Sequence, residues 1–387
     1  MHFYHPHTPL KTESERKGVG FRSVKKLQVY KIRERMQIVT TRKVLDGNPH
    51  AENPGMRAGD EGILVEATPR SGFLLSKIKH GLLFVALGAA GTLAIAGLSK
   101  RLAATDANGV AARPPIGVKR VLFIGADGLS ATSIRNGVEA PNLRALMARG
   151  AWTLSARSIL PSSSACNWAS IFQASGPELN GYIDWDTRTP AMPPAAVGAN
   201  GRFPDIFSCF RAARPDAEIG YAYEWIGMHY VADTNACSFA RIGGCCDSVV
   251  FDYVRTAKPD LMVVVFGGPD GTGHKFNWES KEYLEAVAKF DGFLGQWIDL
   301  YKEAGLLDET VVVVTSDHGG KGKRHGGATL AEMERPLVFV GPGICRNHEI
   351  KTVNATYDVG ATIAWVLGFK PPRVWTGRFI DEIMEIQ

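Results

Sequence analysis

TVVVVTSDHGG, residues 310–320, is the stretch on which the reading of the fold turns. Four consecutive valines leave no polar side, and this is how a short strand buried on both faces of a parallel sheet is written. The run then stops on Ser316-Asp317-His318-Gly319-Gly320, which is polar and glycine-rich. In open α/β sheets ligands bind beyond the carboxyl ends of the strands, so the positions after such a run are where chemistry belongs.

Two earlier stretches repeat the pattern. KRVLFIG (119–125) runs into Ala126-Asp127-Gly128, and LMVVVF (261–266) runs into Gly267-Gly268-Pro269-Asp270-Gly271-Thr272-Gly273-His274. Further strands are expected at 218–223 and 336–340, with helical periodicity near 141–148, 204–213, 249–257, 280–304 and 358–367. Pro141 opens the first of these helices and Gly150 follows it, the usual asymmetry of helix ends. Apolar strands alternating with helices predict an α/β three-layer sandwich, a mostly parallel central sheet covered by helices on both faces.

The strand ends share a chemistry. Asp127, Asp270 and Asp317 supply carboxylates, and His274, His318 and His325 supply imidazoles. Taken singly, Asp127 before glycine reads as a turn residue, and His325 in a Lys/Gly-rich stretch as a solvated one. Taken together, three hard anionic ligands and three neutral nitrogen ligands at one sheet edge suit two divalent cations, zinc first among them. Between the first two motifs lies LPSSSACNW (160–168), a hydroxyl-rich turn that opens a helix. Counting leaves Ser162, Ser163 and Ser164 all open as its reactive hydroxyl.

From about Val118 onward the chain resembles the alkaline phosphatase superfamily, in particular its type I phosphodiesterase and nucleotide pyrophosphatase branch. The residues that carry the resemblance are Asp127 in GADG, the PSSSACNW segment, Asp270 and His274 in PDGTGH, and Asp317 and His318 in SDHG. Supporting matches are Gly176-Pro177-Glu178 with Asn180-Gly181, and Asp358 with the helix it opens. The resemblance implies an alkaline-phosphatase-like fold and a metal-dependent hydrolase of small phosphate esters working through a phosphoserine intermediate. Ser164 would be the nucleophile, because Asn167 then falls three residues later. Asp127, Asp317, His318 and the Ser164 oxygen would hold one ion, and Asp270, His274 and His325 the other, with His348 in reserve as third histidine. Asn167 and the helix N-terminus would donate to the non-bridging phosphoryl oxygens.

Departures from the family pattern bear on the substrate. Many phosphodiesterases of this branch have Thr where Ser164 stands, and the monoesterases place a phosphate-gripping Arg where this chain has Cys166. Trp168, Tyr182, Trp185, Tyr223 and Trp225 fall in segments expected to border the pocket. The competing readings are a sulfatase, a phosphoethanolamine-type transferase and a membrane-anchored binding protein without catalysis. A sulfatase would need a C/S-x-P-x-R motif, and neither Pro nor Arg follows Ser162 or Ser164 at the required places.

The 387 residues carry a net charge of +5, with 45% hydrophobic and 21% charged residues, an ordinary globular composition. The basic excess is concentrated in the first eighty residues, and no nucleic-acid-binding motif accompanies it, so no polymer partner is expected. Residues 1–80 read as a basic, poorly ordered tail, 81–98 (GLLFVALGAAGTLAIAGL) as a transmembrane anchor or signal segment, 99–117 as a linker and 118–387 as the catalytic domain. Basic residues on the N-terminal flank place the domain outside the cytoplasm. Six cysteines fit an oxidising compartment without requiring it, and the group from Cys237 to Cys246 has the spacing for a short disulfide loop but not for a zinc knuckle.

Overall fold

The computed structural model describes residues 118–184 and 188–384. The expected tail, apolar segment and linker, and Trp185, lie outside the described residues. Among the described residues no helix is long and apolar enough to cross a membrane.

The sheet consists of β1 (Arg120–Ala126), β2 (Ala151–Arg157), β3 (Ile219–Tyr223), β4 (Phe239–Ile242), β5 (Leu261–Phe266), β6 (Thr310–Thr315), β7 (Glu334–Val340) and β8 (His348–Glu349), in the order β4-β3-β5-β1-β6-β7-β2-β8. All pairings are parallel except those β7 makes with β6 and β2. The connection from β6 to β7 contains only a one-turn helix, Leu330–Met333, too little for a parallel crossover. The expected strands are all present. β2, β4 and β8 were not expected, because AWTLSAR and FARI are half-buried strands whose sequences look like loop, and β8 is two residues long.

Among the described residues, the helices of eight residues or more that flank the site or cover the sheet are α1 (Pro141–Arg149), α2 (Ser164–Gln173), α3 (Ile206–Ala213), α4 (Ser248–Ala257), α5 (Gly268–Phe276), α6 (Lys281–Glu303) and α7 (Thr356–Val366). Side chains alternate across a strand, so each central strand feeds two cores. Val121, Phe123, Val263, Val311 and Phe339 face α2, α3 and α7, whereas Leu122, Ile124, Val264, Val312 and Val338 face α1, α4 and α6. Burial on both faces is the reason these strands read as unbroken apolar runs. The described fold is thus the expected three-layer α/β sandwich, and it brings the carboxyl ends of β1, β5 and β6 side by side. All six cysteines are free thiols, so the loop from Cys237 to Cys246 is not closed by a disulfide.

Candidate active site

β1, β5 and β6 are adjacent, and their ends are cross-tied. The Asp270 amide donates to the Asp127 carbonyl at 3.0 Å, and the Gly128 amide to Asp317 Oδ1 at 3.1 Å. Gly128 occupies the left-handed region, and a Cβ there would lie 2.9 Å from the Asp270 Cα, so the turn after Asp127 admits no side chain. α5 then places Asp270 and His274 one turn apart on one helical face. Sequence did not show this helix, since GPDGTGHKF contains three glycines and a proline; it is held from outside by Trp278, which packs on Gly273.

Ser164 is the first residue of α2, beyond the turn that follows β2. Its Oγ lies 3.0 Å from His318 Nε2 and 3.2 Å from Asp127 Oδ1. Ser162 points elsewhere, donating to the Gly327 carbonyl and accepting from the Gly326 amide, so its hydroxyl is committed to the loop carrying His325. Ser163 precedes the helix without capping it.

Two ligand sets emerge, Asp127 with Asp317 and His318, and Asp270 with His274 and His325. The His318 and His325 rings stack at 3.8 Å, which makes the sets neighbours. Each histidine has its Nδ1 against a backbone carbonyl: His318 on Gly319 at 2.7 Å, His325 on Ser162 at 2.9 Å and His274 on Lys323 at 3.1 Å. A carbonyl only accepts, so Nδ1 carries a proton, and in the neutral ring Nε2 presents a lone pair. His348 is elsewhere: it starts β8, in register with Ala151 at the opening of β2, and pairs with Glu382 at 3.2 Å.

Several features fit these sets to cations. The His274 and His325 Nε2 atoms face each other at 3.0 Å, two lone pairs that repel unless a positive charge lies between them. Burial and the neighbouring His318 hold His325 down at about 3, so that ring keeps its lone pair. Asp270 Oδ1 and Asp317 Oδ2 are buried without a hydrogen-bond donor. Burial, with Asp317 and Asp270 nearby, pushes Asp127 well above the ordinary carboxylate range, and burial pushes Asp317 up to about 7. Carboxylates so crowded ask for a compensating cation, and the mixture of carboxylate oxygen and imidazole nitrogen suits zinc and its neighbours.

Two expectations need correction. Asn167 does not reach the cleft: it is fully buried, its amide nitrogen donates to the carbonyls of Pro161 and Ser163, and its oxygen accepts from the Ile159 amide at 2.8 Å. It shapes the nucleophile turn and has no donor left for substrate. Trp168 is also fully buried, and its indole N–H donates to Asp127 Oδ2 at 3.1 Å, so it holds a carboxylate and offers no stacking surface. Tyr182 and Tyr223 are core residues. Of the aromatic candidates within the described residues, Trp225 lines the cleft, a space of about 810 Å³ that also exposes Ser164, Asp270, Glu224 and Arg324. Glu224 and Arg324 were missed, since an isolated charge in a loop carries no directional signal.

The model of the family described as "Type I phosphodiesterase / nucleotide pyrophosphatase" matches residues 121–205 and 224–337, half of the chain and every residue of the two ligand sets. The chain belongs to the type I phosphodiesterase/nucleotide pyrophosphatase family. Among curated relatives, ectonucleotide pyrophosphatase/phosphodiesterase family member 7 of Rattus norvegicus is 41% identical over 70 residues, 18% of this chain and 16% of the relative. Arylsulfatase K of Bos taurus is 31% identical over 100 residues, 24% of this chain and 18% of the relative. These matches therefore span less than a fifth of the relatives' length. The structure of murine ectonucleotide pyrophosphatase/phosphodiesterase 5 in complex with AMP aligns with a TM-score of 0.58 and 14% identity, over 69% of this chain and all of that one. Phosphonate monoester hydrolase from Silicibacter pomeroyi aligns at 0.51 and 16%, over 69% and 76%. At such identities these two likenesses concern the alkaline-phosphatase-like fold alone.

Proposed function

We propose that this family member is a metal-dependent hydrolase of small phosphate esters, with Ser164 as nucleophile. The observation that carries the reading is the Ser164 hydroxyl set between Asp127 and His318, beside two convergent sets of carboxylates and imidazole lone pairs.

Asp127, Asp317, His318 and the Ser164 oxygen would hold one divalent ion, and Asp270, His274 and His325 the second, with zinc as the expected metal. Such ions supply Lewis-acid stabilisation to an attacking and a departing oxygen. The protein's own groups orient the rest. The Ser164 proton is directed at Asp127 Oδ1 or His318 Nε2, which leaves the oxygen lone pairs toward the cleft. Ser164 heads α2, and Ser163 provides no side-chain cap, so the first-turn amides and the helix dipole are available to non-bridging phosphoryl oxygens. The Oγ–P bond forms as the bond to the leaving oxygen breaks; water then attacks the phosphoserine, restores the hydroxyl and releases the phosphoryl product. Sulfate esters are the second reading raised by the sulfatase relatives, but Cys166 is fully buried and no Pro or Arg follows Ser164 as that chemistry requires.

The test is turnover of matched phosphate mono- and diesters by zinc-loaded protein. Ser164→Ala should lose activity by at least about 10³-fold while, at saturating zinc, Asp127, Asp317 and His318 still hold the ion. Unchanged turnover in Ser164→Ala would overturn the assignment.

A further inference from the structure

Among the described residues, Arg324 is the one permanently cationic side chain lining the cleft, which it shares with Ser164 and with the carboxylates of Asp127, Asp270 and Glu224. Among the described residues its guanidinium makes no ion pair and no hydrogen bond. The side chain is exposed at the cleft. The backbone that carries it is well fixed. Lys321 and Arg324 exchange main-chain hydrogen bonds across a tight turn at 2.9 and 3.2 Å, and Gly322 takes the left-handed conformation the turn needs.

The turn is also tied at two points. The Trp278 amide donates to the Gly322 carbonyl at 2.8 Å, and His274 Nδ1 donates to the Lys323 carbonyl. Just beyond Arg324, Ser162 anchors Gly326 and Gly327. Arg324 thus springs from a rigid loop between the nucleophile turn and α5. Among the described residues no other permanent cation lines the cleft: Cys166, where related monoesterases carry an arginine, has its thiol against the Asp184 carbonyl at 3.3 Å.

Building on the hydrolase reading, we infer that Arg324 is a specificity-determining residue that receives a second negative charge on, or beside, the reacting phosphoryl group. A guanidinium fork matches two phosphoryl oxygens at once, and its contact with a charged acceptor is stronger than with a neutral one. The lining also includes Trp225 and Glu224, whose Oε2 accepts from the Gly267 amide at 2.9 Å. The Glu224 carboxylate repels an anion. The doubly charged end of the substrate therefore faces Arg324 rather than Glu224.

The decisive comparison uses two esters with one leaving group, p-nitrophenyl phosphate (dianionic) and methyl p-nitrophenyl phosphate (monoanionic), with zinc-loaded full-length wild type, Arg324→Ala and Arg324→Lys. In Arg324→Ala, kcat/KM for the dianion should fall about 10- to 100-fold, and for the monoanion by less than about 3-fold. Lysine should restore part of the loss, and metal content should not change. Equal losses on both esters, or none on either, would overturn the inference. A second arm needs no turnover: in full-length Ser164→Ala, adding Arg324→Ala should weaken inorganic phosphate binding, read by calorimetry, by a similar factor. If the wild type hydrolyses neither ester, the hydrolase reading fails, and the phosphate titration alone decides the role of Arg324; an unchanged Kd, or no phosphate binding to begin with, overturns it.

Discussion

At the scale of single residues, the candidate site depends on side chains that never touch a substrate. Trp168 is the clearest. Its indole N–H fixes the Asp127 oxygen that faces away from Ser164, and its ring fills space that Gly125 leaves open; a Cβ on Gly125 would lie 2.4 Å from that ring. Trp168→Phe keeps most of the packing and removes the donor. Metal affinity should then fall about 10-fold, the usual effect of losing a partner of a ligand, measured as the zinc concentration needed for half-maximal activity. An unchanged zinc requirement would show that Asp127 needs no such support. Asn167 is a parallel case, read as a substrate donor and found stapling the turn at Ile159, Pro161 and Ser163. Sequence identified both residues as belonging to the site region, but residue type does not reveal which way a side chain points.

At the scale of elements, the N-terminus of α1 shows how the tertiary structure completes what local sequence leaves unfinished. Ala140 precedes α1 and offers no side-chain cap. Asp291, in the middle of α6, supplies it instead: Oδ1 accepts from the Leu143 amide at 2.7 Å and Oδ2 from the Asn142 amide at 2.9 Å. A buried aspartate in a helix interior looks in sequence like an unfavourable choice. Asp291→Ala should destabilise the fold by about 2 kcal/mol, the upper range for losing a cap, seen as a lower denaturant midpoint with catalytic parameters retained. No loss of stability would mean that solvent replaces this cap at little cost. The same logic accounts for α5, whose glycines gave no helical signal and whose Gly273 leaves room for the Trp278 ring packed against it.

At the scale of the whole molecule, the buried acids couple metal content to pH. Asp317 is pushed up to about 7 by burial, and Asp127 is raised in the same direction. A carboxyl that holds its proton more tightly in the folded than in the unfolded chain stabilises the fold below about pH 3.9, and this contribution is lost as pH rises through its folded value. Chelator-treated protein should therefore show a Tm that falls between about pH 5 and 8, whereas saturating zinc should flatten that slope. A Tm that rises with pH over this window in the chelated protein would contradict the burial of uncompensated carboxylates.

By itself the sequence determined the layered α/β architecture, because strands buried on both faces must be apolar along their whole length, as at 121–124, 261–266 and 311–314. It also determined which residue types end those strands, since hard carboxylates and imidazoles have few other reasons to recur there. The tertiary structure alone decided the strand order that makes Asp127, Asp270 and Asp317 neighbours, the choice of His325 over His348 beside Asp270, and the inward turn of Asn167 and Trp168. Those outcomes depend on long-range pairing and on the direction of each side chain, and neither is encoded in the local order of residues.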